Sequence, residues 1–146
     1  MKLIALLLFF SLVSSRSAPY RVIDLYDSSG NAVAYIDDYV SDRVIYLWDG
    51  KPVAYLYQSF TGTDVFGFNG KHLGWFEDGK LRDNDGYLIA ATKEAIGRIT
   101  YGETLKGVKD TPPEKKYHEQ PPVKPYFSDT WSSGVLRDYL LQGTDN

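Results

Sequence analysis

IYLWDGKPVAYLY, residues 45–57, reads as one complete β-hairpin. Val44–Trp48 is a β-rich run, and Asp49-Gly50 is a tight-turn pair, because glycine accepts positive φ and aspartate bonds nearby backbone. Val53–Tyr57 is the return strand. The phrase recurs on both sides: VIDLYDSSGNAVAYI at residues 22–36, VFGFNGKHLGWF at 65–76 and LRDNDGYLIAA at 81–91. Its turn glycines, Gly30, Gly50, Gly70 and Gly86, are 20, 20 and 16 residues apart. One hairpin cannot bury an apolar face alone, so the copies must pack on one another. The expected fold is all-β: four repeated β-hairpins in a compact pseudo-fourfold arrangement, followed by a proline-rich arm and a short C-terminal helix. Turn signals interrupt every apolar run, which excludes long helices in the repeat region.

Counting from each turn glycine exposes a finer pattern. Plus three is Val33, Val53, Leu73 or Ile89; plus four is Ala34, Ala54, Gly74 or Ala90; plus five is Tyr35, Tyr55, Trp75 or Ala91. Strict strand alternation predicts that plus three and plus five share one face and the small plus-four residues point the other way. A small residue used four times implies crowding at a central axis. The first copy reads as having a longer turn, Asp27-Ser28-Ser29-Gly30. The links Asp37–Arg43, Gln58–Asp64 and Glu77–Lys80 are short enough for a radial array of antiparallel hairpins; a meander or a small barrel also satisfies them. Ala91–Ile96 suits a helical turn and Arg98–Tyr101 a further strand.

The repeat region is assigned to residues 20–110 and the C-terminal arm to 111–146. Pro112-Pro113, Pro121-Pro122 and Pro125 keep the arm extended, either wrapped on the repeats or projecting from them. Trp131, Val135, Leu136, Tyr139 and Leu140 then recur at helical spacing, with Ser132 or Ser133 as a cap and Gly143 as a stop. So short a helix needs a docking surface, on its own domain or on a partner. Trp131, Leu136, Tyr139 and Leu140 are the candidate docking residues.

Residues 1–18 have the form of a secretory signal: Lys2, an apolar run from Leu3 to Val13, then small residues through Ala18. Export to the periplasm or beyond is expected, with an uncleaved anchor as the alternative and no stable membrane span after cleavage. Removal of residues 1–18 leaves fourteen basic and nineteen acidic side chains, a net charge near minus five. Without a sustained basic patch, nucleic acid is excluded as a partner. There is no cysteine, so an exported chain of this length must draw its stability from packing, for which it has twelve tyrosines, seven phenylalanines and three tryptophans.

The strings at Ile45–Tyr57, Val65–Gly79 and Asp83–Ala90 closely resemble a small bacterial family known for a four-fold β-flower domain. The resemblance spans roughly residues 22–91 and implies the fourfold fold. It brings no assigned molecular function and therefore no catalytic residues to transfer.

The residues assemble no chemical constellation. Neither His72, beside the third turn, nor His118, in the arm, has metal-ligand spacing, and both are assigned to the surface or solvent. Asp27, Asp49, Asn69 and Asp85 occupy similar places near the turns, where local backbone bonding accounts for them better than a cation ring. There is no nucleophile elbow or phosphate loop. A non-enzymatic structural or interaction module without metal or cofactor is expected, its partner a protein or glycan. Trp48, Tyr55, Phe68 and Trp75 are the candidate binding rings, with core packing as the competing use.

Overall fold

The computed structural model describes residues 21–38, 42–101 and 104–145; the leader expected at 1–18 lies outside them. Eight antiparallel strands, β1 (Val22–Tyr26), β2 (Ala32–Asp37), β3 (Arg43–Leu47), β4 (Pro52–Ser59), β5 (Gly62–Gly67), β6 (His72–Glu77), β7 (Lys80–Asp83) and β8 (Leu88–Ala91), pair in sequence order. The sheet closes on itself through Tyr26 opposite Ala91. Of the arrangements open to four hairpins, the chain adopts the closed barrel, which leaves no sheet edge to template aggregation.

Each hairpin turn is built alike. The N–H of Gly30, Gly50, Gly70 and Gly86 donates to the carbonyl three residues earlier, at 2.9–3.0 Å. The first turn is therefore no longer than the others. Two different side-chain devices brace these turns. Asp27 and Asp83, three before the glycine, accept from two backbone N–H groups each. Asp49 and Asn69, one before the glycine, accept from the N–H after it. Of Asp27, Asp49, Asn69 and Asp85, the first three thus brace their turns in two different ways, and the fourth turn is braced by Asp83, not Asp85.

A bulge follows every turn. Leu25 faces Ala34 but Tyr26 faces Ala32, and the same slip recurs at Ile45/Tyr46, Val65/Phe66 and Leu81/Arg82. One extra residue per return strand breaks the period-two rule. The expectation that plus three and plus five share a face is corrected by this. Val33, Val53, Leu73 and Ile89 belong to the interior cluster together with Ala34, Ala54 and Ala90, while Tyr35 and Tyr55 lie in a separate outer cluster. The small plus-four residues do sit at a crowded place: Ala34, Ala54 and Ala90 are fully buried, and a Cβ on Gly74 would meet the Arg82 carbonyl at 1.9 Å.

Helix α1 (Leu136–Leu141) plugs the turn end of the barrel. Leu136, Tyr139 and Leu140 join the interior cluster with Val53, Leu73 and Ile89, so the helix docks in cis. It begins later than the serine caps predicted. Its N-cap position is Val135 with no side-chain bond, because the Ser132 hydroxyl accepts from Gly134 N–H in the preceding turn. Trp131 is not on the helix; it makes an isolated parallel bridge with Leu88. After β8, the helical bond from Ile96 N–H to the Thr92 carbonyl forms the expected single turn. Arg98–Tyr101 is not a strand: it begins the extended arm, which starts upstream of the composition change at Thr111.

Candidate functional site: an aromatic wall beneath an extended arm

Because the bulges send plus five outward, the barrel carries its rings on its outer wall. Tyr35 stacks on Tyr46 at 5.5 Å and meets Trp48 edge-on at 6.0 Å. Tyr55 contacts Phe66 and Phe68 at 6.1 and 5.6 Å. His72 bridges Phe66 and Trp75 at 5.1 and 4.8 Å, and Trp75 meets Phe127 of the arm at 5.8 Å. The line of rings crosses three of the four hairpins. In the fourth, Ala91 stands where the others have an aromatic ring, and Trp131 fills the space against Tyr26 and Ile96.

The arm covers this wall in a register that is regular in sequence. The N–H groups of Tyr101, Asp110, Glu119 and Ser128 donate to the carbonyls of Gly30, Gly50, Gly70 and Gly86, at 2.9–3.0 Å. These donors are nine residues apart, and each meets one turn, in order around the barrel. The carbonyls of Ile99, Val108, Tyr117 and Tyr126, again nine apart, lie over the Cα atoms of the same glycines; a Cβ there would sit 2.0–2.6 Å from the carbonyl oxygen. Each turn glycine is therefore required twice, for its φ between 81° and 100° and for the passage of the arm. Nine extended residues reach about 30 Å at most, an upper limit on the step from turn to turn.

Cations complete the register. Lys106 places Nζ 4.1 Å from the Trp48 ring and 3.0 Å from Asp24 Oδ1. Lys115 is 4.3 Å from the Tyr55 ring and 2.9 Å from Asp42. Lys124 is 4.9 Å from Phe127 and pairs with Glu77. In the fourth quadrant Arg98 lies 5.3 Å over Trp131. Each such contact contributes roughly 0.5–1 kcal/mol at an accessible site, so the arm is held by many small terms. The apolar groups it carries over the four turns point away: Ile99 is 82% exposed, and Val108, Tyr117 and Tyr126 at least 90%.

The third hairpin holds a buried polar node. His72 is fully buried, not turn-surface as its sequence position suggested, because the bulge sets it opposite Phe66 under the arm. Its Nε2 lies 2.9 Å from Asp64 Oδ1 and its Nδ1 2.8 Å from Asn84 Oδ1. Asn84 Nδ2 donates to the His72 carbonyl, which fixes the amide so that both ring nitrogens meet oxygen acceptors. His72 N–H donates to Glu119 Oε1 at 2.7 Å. The node joins β5, β6, the fourth turn and the arm. His118, expected in solvent, is half-buried and stacks on Phe66 at 4.2 Å. A cavity of about 460 Å³ between α1 and the third and fourth turns is lined in part by Asp83, Asp85, Asp138 and Tyr139. Burial pushes the Tyr139 hydroxyl well above the ordinary tyrosine range, with the Asp83 charge adding to it. That hydroxyl donates to the Leu73 carbonyl. Among the described residues no group of three or more His, Cys, Asp or Glu is placed to hold a metal ion.

The candidate rings therefore face outward, yet are not free. Tyr55, Phe68 and Trp75 are buried, and Trp48 is half-buried with its indole N–H donating to the Thr104 carbonyl. Of the docking residues, Leu136, Tyr139 and Leu140 are spent on the plug and Trp131 on the fourth quadrant. The arm lysines are functional residues that composition alone does not mark, although GETLKGVKD, TPPEKKYHE and QPPVKPYFS, residues 102–128, write the nine-residue repeat openly.

Residues 23–140 match the family described as 4-fold beta flower protein, and the chain belongs to it. Neither a curated protein nor a solved structure matches the chain.

Proposed function

We propose that this 4-fold beta flower protein is an exported, non-enzymatic interaction module that meets a protein partner through the outer ridge of its arm. The observation that carries this is the ring of Ile99, Val108, Tyr117 and Tyr126, one large apolar side chain over each turn, all directed into solvent. Tyrosine is among the residue types enriched in the anchoring positions of protein interfaces. The segment at residues 1–18 supports export. Stacking of a glycan on Tyr55, Phe68 or Trp75 is disfavoured, since the arm lies over them.

A photoreactive residue at Tyr117 or Tyr126, introduced in the native host, tests the proposal. Discrete protein adducts that are competed by excess unmodified chain are the expected result. Adduct formation no different from that of a probe at Lys93, on the surface away from the ridge, would refute it.

A further inference from the structure

The arm is bound to the barrel as a peptide ligand is bound to a receptor. The barrel closes without it, through β1 and β8. No backbone bond within residues 104–127 holds the arm in its own conformation; its backbone N–H groups at Gly107, Asp110, Lys116 and Glu119 donate to barrel carbonyls. Its recognition elements are repeated and complementary in charge. The wall offers aromatic faces flanked by carboxylates, Tyr35 and Trp48 with Asp24, and Tyr55 with Asp42; in the third quadrant it offers the Glu77 carboxylate, and the ring beside Lys124 is the arm's own Phe127, packed on Trp75. The arm delivers Lys106, Lys115 and Lys124 to these places at nine-residue intervals. Lys109, paired with Asp37 and 5.6 Å from Tyr46, adds to the same pattern.

We propose that the outer wall of the barrel is a peptide-binding surface whose ligand class is an extended, proline-containing peptide with lysines nine residues apart, and that the chain's own arm occupies it in cis. The specificity follows from the parts. An ammonium group suits a ring face backed by a carboxylate. Proline keeps the segment extended and lowers the ordering cost of binding. The turn carbonyls fix the register through backbone N–H groups that any such peptide possesses. A tethered arm acts at an effective concentration on the order of millimolar, so a free peptide competes only when the arm is weakened or the peptide is the better ligand. This surface lies beneath the arm and is distinct from the outer ridge, so its test and the cross-linking test fail independently.

The probe is a fluorescent synthetic peptide of residues 104–128, titrated into the full chain and into the K106A/K115A/K124A variant. The expected result is saturable binding to the variant, with the peptide carrying the same three alanine substitutions at least tenfold weaker and the unmodified chain also at least tenfold weaker. No saturable binding up to millimolar peptide, or equal binding of the two peptides, would overturn the proposal. A variant that forms dimers by light scattering and ignores the peptide would overturn it in favour of arm exchange between copies. If the triple variant does not fold by circular dichroism, K115A alone carries the same comparison, with the K115A peptide as control.

Discussion

Gly50 and Gly97 separate the two demands placed on glycine here. Both have positive φ, 100° and 65°, but a Cβ on Gly50 would lie 2.0 Å from the Val108 carbonyl, whereas nothing lies within 4 Å of one on Gly97. Gly97→Ala should cost about 1 kcal/mol, the backbone term alone. Gly50→Ala should cost at least about 2 kcal/mol and release the arm locally. Denaturant unfolding measures both; equal losses would show that the arm does not press on the turn. Tyr139 makes a second prediction at this scale. Tyr139→Phe removes a buried bond to the Leu73 carbonyl and should cost about 1–3 kcal/mol. The folded hydroxyl titrates above its unfolded value, so its contribution is fully present below about pH 10 and is lost as pH rises toward the folded value. Unfolding free energies measured from pH 8 to 11.5 should therefore fall more steeply for the parent than for the Phe variant, and parallel curves would contradict the burial of this group.

The hairpin is the element whose assembly was legible in residues alone. Asp49-Gly50 and Asn69-Gly70 mark turns because their chemistry is local, Gly86 marks the fourth through its positive φ, and the alanines at plus four mark the crowded interior because the chain repeats them. The assignment of faces was not legible. A bulge is set by pairing across strands, and no residue type announces it, so strict alternation puts Val53 on the face of Tyr55 and turn position puts His72 at the surface. The helix was legible from apolar spacing, but its start was not, since Ser132 bonds within the turn that precedes it. The arm's period escaped because its lysines and tyrosines look like solvated polar chain until the turns give them partners. Ala54 tests the element directly. It is fully buried opposite Ile45, so Ala54→Leu adds volume the barrel cannot absorb and should cost about 1–3 kcal/mol or more by thermal or denaturant unfolding. An unchanged midpoint would mean that the interior is not crowded there.

At the scale of the whole molecule, three layers divide the work. The barrel and its helix plug form one apolar core, the rings form a second layer outside it, and the arm seals that layer with small, repeated contacts. A chain without cysteine thereby fastens its long tail by periodic clamps where a disulfide would otherwise serve. Many weak contacts over a closed core imply that the arm opens locally at a lower free energy than the barrel unfolds. Such opening is what access to the wall requires. Amide hydrogen exchange of the intact chain, resolved by residue with NMR, tests the clamp most directly. The account predicts protection at Tyr101, Asp110, Glu119 and Ser128, joined by Gly107 and Lys116, which bond the Trp48 and Phe68 carbonyls, along an arm that otherwise exchanges fast. Exchange at unstructured-peptide rates throughout residues 104–128, with the barrel strands still protected, would contradict it.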